Sequence, residues 1–308
     1  MRSGLPSGLD NRVALALAIP AGLLGVLLAW ALSDIPAAAG VRVCADLAGA
    51  AVLGLATLPR LNDRLPVPWR MTAVLAALWC CLEFVVLVFA AGEVVGSGVA
   101  ALSPADFGTY LVRISAGQIG LAILLATAAV AGYAALAFRG RVQRTPDLVL
   151  VFAAVAVTLR PITGHMSQQV FGSVLAGVHA LAASIWLGLL LALALVVRGR
   201  RDWAETLPRY SGIAVPMVAA IAVTGAINGV VRLGGVEPFF STGYGRIMLV
   251  KALLLVVLLA LGWWWRRTWV AAAAAHRMTA DASLRRAVLE VAVIAVVFGL
   301  AASLAITG

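Results

Sequence analysis

The stretch that decides the fold is FGSVLAGVHALAASIWLGLLLALALVV, residues 171–197, which Arg198 follows directly. It holds no Asp, Glu, Lys or Arg. As a helix rising 1.5 Å per residue it would be about 40 Å long, more than the ~30 Å of hydrocarbon in a bilayer. Lipid cannot bond backbone polar groups, so an uninterrupted apolar stretch of this length predicts a transmembrane helix.

Similar stretches recur along the whole chain, which has 308 residues, is 63% hydrophobic and only 12% charged. A soluble domain has about a quarter of its residues charged. We therefore predict an all-α, polytopic transmembrane helix bundle with about nine spans. The fifth should kink or end at Arg160-Pro161. The predicted spans are 13–32, 41–58, 71–91, 108–138, 147–164, 171–197, 210–232, 244–265 and 286–306.

Basic residues alternate between the connections, and this pattern predicts the orientation. Arginines cluster before the first span and in every second connection, whereas Asp34, Glu93, Asp106 and Glu237 lie in the others. Cytoplasmic loops carry the excess of basic residues, so the N-terminus is expected in the cytoplasm and the C-terminus outside. The net charge of +10 is then explained by membrane topology and gives no reason to expect nucleic acid.

Two membrane regions are expected, residues 1–146 with four helices and residues 147–308 with five. The connections are too short for an extramembrane domain. An alternative for the first span is a signal peptide cleaved near Ala37-Ala38-Ala39. Its apolar core is longer than is usual for such a peptide, so we expect it to remain.

Polar residues inside these spans are the candidate functional residues, because charges and strong dipoles are costly in lipid. The predicted topology places them in the outer half of the membrane. Imidazole, thiolate and thioether together suit copper, and the sulfur ligands favour Cu(I) over Cu(II). The predicted ligands are His165, Met166, His179, Glu83, Asp46, Cys44, Cys80 and Cys81, and the predicted pathway residues are Trp186, Asn228, Arg232 and Lys251.

Each of these residues also has a purely structural interpretation. His179 would serve as a hydrogen-bond partner between helices, and the cysteines as small apolar fillers. His165 would be a solvated loop residue, Met166 a packing residue, and Trp186 a packing aromatic. Asp46, Glu83 and Lys251 would neutralise one another or pair with Arg232. His276, among arginines in a cytoplasmic loop, is expected at the surface.

The sixth span has two distinct faces. Gly172, Ala176, Ala180, Ser184 and Gly188 recur every four residues, a stripe of small side chains that lets another helix approach closely. His179 and Trp186, seven residues apart, share a second face. The helix is therefore expected to hold His179 within the bundle and away from lipid.

Enzyme motifs are absent from the sequence: there is no Walker loop, HExxH, GxSxG or dinucleotide fingerprint. We therefore expect a protein that is not an enzyme. A b-type haem, an alternative cofactor, needs two axial ligands. Only His165 and His179 are candidates, and they are predicted to lie at different depths.

The segment Gly164-His165, followed by His179-Ala-Leu-Ala-Ala-Ser-Ile-Trp186-Leu-Gly188, resembles the copper resistance protein D (CopD) family. The resemblance covers roughly residues 150–300, and the region before it is only generically similar. Further matching segments follow in order: Arg209-Tyr-Ser211, Thr224-Gly225-Ala-Ile-Asn228, Tyr244-Gly245-Arg246, Lys251, and Arg286 with Glu290.

The resemblance implies a multi-pass protein of the cytoplasmic membrane that takes up or transports copper and supports copper resistance or homeostasis. Residues 147–308 would be its CopD-like domain. Besides the lipid bilayer, the implied partner is an extracytoplasmic copper chaperone or a cytochrome oxidase assembly factor, because relatives occur fused to such domains. Two alternatives stay open. One is a non-transporting module that holds copper at the outer face for oxidase assembly, and the other is a haem-bearing electron carrier.

Overall fold

A computed structural model describes residues 11–96, 98–140, 144–162, 171–235 and 237–306. Within these ranges all regular elements are helical, as predicted. The helices are α1 (Val13–Trp30), α2 (Ala38–Leu61), α3 (Trp69–Val95), α4 (Pro104–Arg113), α5 (Ser115–Arg139), α6 (Asp147–Ile162), α7 (Gly172–Val196), α8 (Arg200–Leu233), α9 (Pro238–Ser241), α10 (Gly243–Trp265), α11 (Ala271–Ala274) and α12 (Ala280–Leu304).

Eight of the helices in the described ranges are long and apolar enough to cross a membrane. They correspond to eight of the nine predicted spans, so the protein is a multi-pass membrane protein. The remaining predicted span is α6, which has 16 residues. At 1.5 Å per residue it is about 24 Å long, shorter than the hydrocarbon core. Pro161 lies within the last described turn of α6, and the chain after Ile162 is outside the described ranges, so the kink or stop there stays a prediction.

Two predicted helix boundaries are wrong for identifiable reasons. The predicted span 108–138 is two elements, because α4 ends at Arg113 and α5 begins at Ser115. Helix α4 has its own N-cap, in which the Ser103 hydroxyl accepts a hydrogen bond from the Asp106 amide. Helix α8 begins ten residues before the predicted start at 210. Its first ten residues, Arg200 to Arg209, include several charged side chains, so a hydropathy criterion does not detect this part of the helix.

Helices α2 and α7 form the centre of the bundle, and most of their residues are buried. They cross at Gly54 and Gly188, where a β-carbon on either residue would overlap the backbone of the other helix. Backbone approach of this kind needs small residues, which is the role expected for the small-residue stripe of α7. The contact confirms that role for Gly188, while Ala176 and Ala180 in the same stripe are only partly buried.

Helix α1 packs along α12, α3 along α5, and α8 along the outer side of α7. Helix α10 continues through a π-helical turn, Arg266–Val270, into α11. Helices α8 and α10 expose much of their apolar surface, which suits contact with lipid.

Polar contacts join the predicted cytoplasmic connections at one end of the bundle. Arg64 Nη1 lies 2.8 Å from Glu205 Oε1, and Arg201 Nε lies 3.1 Å from the same oxygen. Arg60 pairs with Asp147, which joins the ends of α2 and α6. At the opposite end, Arg246 donates to the Leu32 carbonyl at 3.1 Å. The connections predicted to lie on the same side of the membrane thus lie at the same end of the helix bundle. Which end faces the cytoplasm stays a prediction, and so does the division into two regions between residues 146 and 147.

Candidate functional site

His179 lies where α7 meets α8, partly buried between the helices. Its Nδ1 atom is 2.9 Å from Thr224 Oγ1 on α8. His179 is about 11 Å from the start of α7, and Thr224 about 14 Å from the end of α8, at 1.5 Å per residue. The sequence prediction that α7 holds this imidazole within the bundle is therefore confirmed.

The Thr224 hydroxyl also lies 2.6 Å from the Ala220 carbonyl, to which it donates. With the imidazole proton on Nδ1, His179 donates to Thr224 Oγ1 while Thr224 donates to Ala220, so this tautomer satisfies both groups. The lone pair of Nε2 is left available to a metal, and a hydrogen bond at the other ring nitrogen is the usual way in which a ligating histidine is oriented.

Two glycines one helical turn apart on α8 are each in contact with a side chain from a neighbouring helix. A β-carbon at Gly225 would lie 3.3 Å from His179 Cε1. A β-carbon at Gly229 would lie 3.9 Å from Met248 Sδ, on α10. Gly225 and Gly229 share one face of α8, with a rise of about 6 Å between them. An imidazole and a thioether thus occupy successive turns of the same helix face, and both ligand types suit Cu(I).

The same face of α8 carries the predicted residues Asn228 and Arg232. Asn228 Oδ1 is buried and makes no hydrogen bond within the described part of the chain. Arg232 stacks over the Tyr244 ring, with its Cζ atom 4.3 Å from the ring centroid. With Thr224, these residues form a polar line of successive turns that leads from the C-terminal end of α8 to His179.

Lys251, the only lysine in the sequence, lies on α10 three residues after Met248. Its charge acts on the His179 imidazole. No Asp or Glu pairs with Lys251 in the ranges that the structure describes, and Arg232 is likewise paired with an aromatic ring and not an acid. This part of the described structure is therefore electropositive.

The two predicted carboxylate ligands lie elsewhere, among α2, α3 and α6. Asp46 Oδ2 is 3.5 Å from Arg42 Nε. Glu83 is buried, with one oxygen paired with Arg160 and the other accepting a hydrogen bond of 2.9 Å from the Trp79 indole. Ion pairing was the structural alternative for both acids, and it is what the structure shows. The partners are Arg42 and Arg160, which the sequence did not single out.

The three cysteines lie on α2 and α3, and not on the two helices, α7 and α8, that meet at His179. Cys44 interacts electrostatically with Asp46, two residues along α2. Cys80 Sγ lies 3.9 Å from the Leu124 carbonyl oxygen. Cys81 is exposed on the surface of α3. In the described ranges no three His, Cys, Asp or Glu side chains come together as a metal cluster. A site with three ligands at His179 would thus need at least one thioether, amide or backbone ligand from the described residues.

His165 and Met166 lie outside the described residues, so their proposed approach to His179 stays a prediction. Of the histidines that the structure describes, His276 is in the turn between α11 and α12, far along the chain from the contact of α7 with α8. The described residues therefore do not supply the pair of facing axial histidines that a b-type haem needs. Trp186, the other residue of the His179 face, is buried and borders a cavity deeper in the bundle.

Sequence reasoning missed Thr224, Gly225 and Met248 as parts of the site. The signal for the first two was present in Thr224-Gly225-Ala-Ile-Asn228, which places small and polar residues on one helical face. Met248 gave no local signal, because it is one of many apolar residues in α10. Only the packing of α8 against α10 shows where its thioether lies.

Comparison with known proteins gives matches in both halves of the chain. A family model described as copper resistance protein D matches residues 204–304, and one described as copper resistance protein D-like, N-terminal domain, matches residues 32–170. The second match extends the resemblance to the region that the sequence had suggested was only generically similar. The whole of α7, including His179, lies between the two matched ranges.

A curated relative adds a partial match. The chain is 27% identical over 146 residues to the copper transport protein CutJ of Bacillus subtilis (strain 168). The match covers 44% of this chain and 26% of the relative, so the chain spans about a quarter of that protein's length. No solved structure matches the chain. The two family models, on either side of the helix that holds His179, show that the chain belongs to the copper resistance protein D family and has a copper-related function in a membrane.

Proposed function

We propose that this protein carries copper ions across the cytoplasmic membrane, as a non-enzymatic part of copper uptake, resistance or homeostasis. The observation that carries the proposal is the orientation of His179, whose Nδ1 is held by Thr224 so that Nε2 is available as a ligand. The family and the printed name of the relative CutJ support copper as the cargo.

The geometry favours Cu(I) as the transported ion. Met248 and His179 lie on successive turns against the glycine face of α8, and thioether with imidazole is a soft ligand set. Copper arriving from the outer end would meet Asn228 and Met248 before His179. His165 and Met166 are proposed to capture the ion before that point.

The electropositive surroundings set the affinity of this route. Lys251 repels a cation at His179, so binding there should be weaker than at an isolated soft site. Conduction requires binding that is favourable enough for entry and weak enough for release. We propose that Lys251 keeps copper from being held permanently at His179.

The test is copper flux into proteoliposomes that contain the purified protein, with Cu(I) supplied under reducing conditions. His179→Ala should abolish flux, and Met248→Leu should lower it, because each removes one ligand. The matched control is His276→Asn, which removes the imidazole from a surface turn. Asparagine tolerates the positive φ of 51° at that position. Unchanged flux in His179→Ala, with the protein folded and inserted, would rule out the route.

The same proteoliposomes distinguish a copper transporter from a module that binds copper without transporting it. A protein that only holds copper would bind Cu(I) in equilibrium dialysis and lose this binding in His179→Ala, yet show no flux above empty liposomes. An extracytoplasmic chaperone or oxidase assembly factor would then be the expected recipient of its copper.

A further inference from the structure

A second site lies deeper in the bundle, where α7, α8, α10 and α12 enclose a cavity of about 450 Å³. Its walls are largely apolar, and the aromatic residues Trp186, Tyr210, Trp265 and Trp269 are among those that line it. Cavities of 300–1,000 Å³ with mostly apolar walls and a few polar groups are typical small-molecule sites. The proposed copper route does not use this cavity.

Three buried polar groups border the cavity: the Tyr210 hydroxyl, the Glu290 carboxyl and the Trp269 indole nitrogen. The Tyr210 hydroxyl faces the Glu290 carboxyl, although the two do not form a hydrogen bond of good geometry. The Trp269 indole nitrogen makes no hydrogen bond in the described chain. Buried polar groups are normally fully satisfied, and polar groups within a membrane are costly when they are not. The three groups together indicate that the cavity binds a ligand with oxygen atoms.

The cavity opens sideways between α8 and α10. Val215, Leu259 and Trp263 line it and are exposed on the apolar outer surface of these helices. The π-helical turn Arg266–Val270 forms part of the wall and places Arg266 at the cavity as its one basic residue. Single π turns inside α-helices are frequent at functional sites. A ligand dissolved in the bilayer would enter by this opening without passing through water.

The chemistry of the lining selects the class of ligand. Among the described residues the lining includes no histidine, cysteine or methionine, and the volume far exceeds that of an ion, so this lining is unsuited to copper. Flat indole rings favour a planar ring by stacking. Tyr210 and Trp269 can donate to ring oxygens, and Glu290 can accept from a ring hydroxyl. We infer that the cavity binds a membrane-soluble quinone or hydroquinone, with its ring among the tryptophans and its oxygens at Tyr210, Trp269 and Glu290.

The test is retention of labelled decylbenzoquinone by the purified full-length protein in detergent micelles, measured against protein-free micelles. Saturable binding is expected. Tyr210→Phe and Glu290→Gln should each weaken it about tenfold, the effect of losing one hydrogen bond to a buried group. Ala219→Trp, which fills the cavity from α8, should remove saturable binding, whereas Leu253→Trp on the lipid-facing side of α10 should not change it.

Decylbenzene, which has the same tail and ring without the oxygens, decides between a quinone site and a slot for acyl chains. Equal retention of the two compounds, or normal binding by both Tyr210→Phe and Ala219→Trp, would overturn the proposal. His179→Ala should retain decylbenzoquinone normally, and Ala219→Trp should bind copper normally. Failure of the quinone site is therefore distinguishable from failure of the copper route.

Discussion

His179 Nδ1 lies 2.9 Å from Thr224 Oγ1, a hydrogen bond across the contact between α7 and α8. Thr224 in turn donates to the Ala220 carbonyl of its own helix. A rigid helix backbone therefore determines the orientation of the imidazole through one hydroxyl group. This dependence makes Thr224 a positioning residue for any metal bound at His179.

Thr224→Val should weaken Cu(I) binding about tenfold, because loss of an outer-shell hydrogen bond typically costs 10–100-fold in metal affinity. Valine keeps the shape of threonine but cannot accept from Nδ1. Thr224→Ser, which keeps the hydroxyl, is the matched control and should bind nearly normally. Competition with a chromophoric Cu(I) chelator measures both. Equal affinity in the valine and serine variants would show that the hydroxyl does not orient the ring.

Gly225→Ala tests whether Cu(I) binding requires the close contact between the His179 imidazole and α8. The added β-carbon would lie 3.3 Å from His179 Cε1, so the imidazole must shift by a few tenths of an ångström. We expect a several-fold loss of Cu(I) affinity with little change in thermal stability, because alanine also improves helix propensity by about 1 kcal/mol.

Gly212→Ala on the same helix is its control, since a β-carbon there meets no atom within 4 Å. It should leave Cu(I) affinity unchanged and gain the same helix propensity. A loss of affinity in Gly212→Ala as large as in Gly225→Ala would point to a general effect on α8 and not to contact with His179.

Glu83→Gln tests whether the Glu83 carboxyl has a structural role or binds copper. Arg160 and Trp79 occupy the two oxygens of Glu83, so removal of its charge leaves a partly buried guanidinium without this carboxylate. Breaking a buried pair in this way costs about 3 kcal/mol. We expect a lower thermal unfolding temperature in detergent and an unchanged Cu(I) affinity for the protein that remains folded.

The exposed pair between Arg60 and Asp147 provides the comparison. Asp147→Asn should leave the unfolding temperature nearly unchanged, because water screens exposed ion pairs. If Glu83→Gln instead kept normal stability and lost copper binding, Glu83 would be a ligand, as the sequence had suggested.

The span positions and the location of His179 were predictable, because both follow from one-dimensional patterns. Helix α7 was expected at 171–197 and runs from Gly172 to Val196. Its length in lipid and its lack of charges determine this result whatever the neighbouring helices do. The start of α8 was not predictable from hydropathy, since the buried residues Trp203 and Leu207 alternate there with charged residues.

Which helices are neighbours could not be derived from the sequence. Glu83 had several basic residues as equally plausible partners, and only the arrangement of α3 and α6 beside α2 and α5 brings Arg160 to it. Likewise, His179 meets Thr224 and not a cysteine because α7 packs against α8 on that face. Candidate ligands could therefore be named from the sequence, whereas their grouping in space could not.

Gly188→Ala should destabilise the whole bundle, because the close crossing of α2 and α7 leaves no room for a methyl group. The added β-carbon would overlap the Ala50 carbonyl, and no side-chain rotation can relieve a clash with backbone. The helices must then move apart across a core that is almost fully buried. Overpacking typically costs 1–3 kcal/mol, and we expect about 3 kcal/mol or more here.

Gly132→Ala on α5 is the matched control, since a β-carbon there meets no atom within 4 Å. Thermal unfolding in detergent and the monodispersity of the purified protein measure both variants. Gly132→Ala should match the native protein, whereas Gly188→Ala should unfold at lower temperature and also lose Cu(I) affinity, because α7 carries His179. Native-like stability of Gly188→Ala would mean that α2 and α7 are farther apart than the crossing at Gly54 and Gly188 requires.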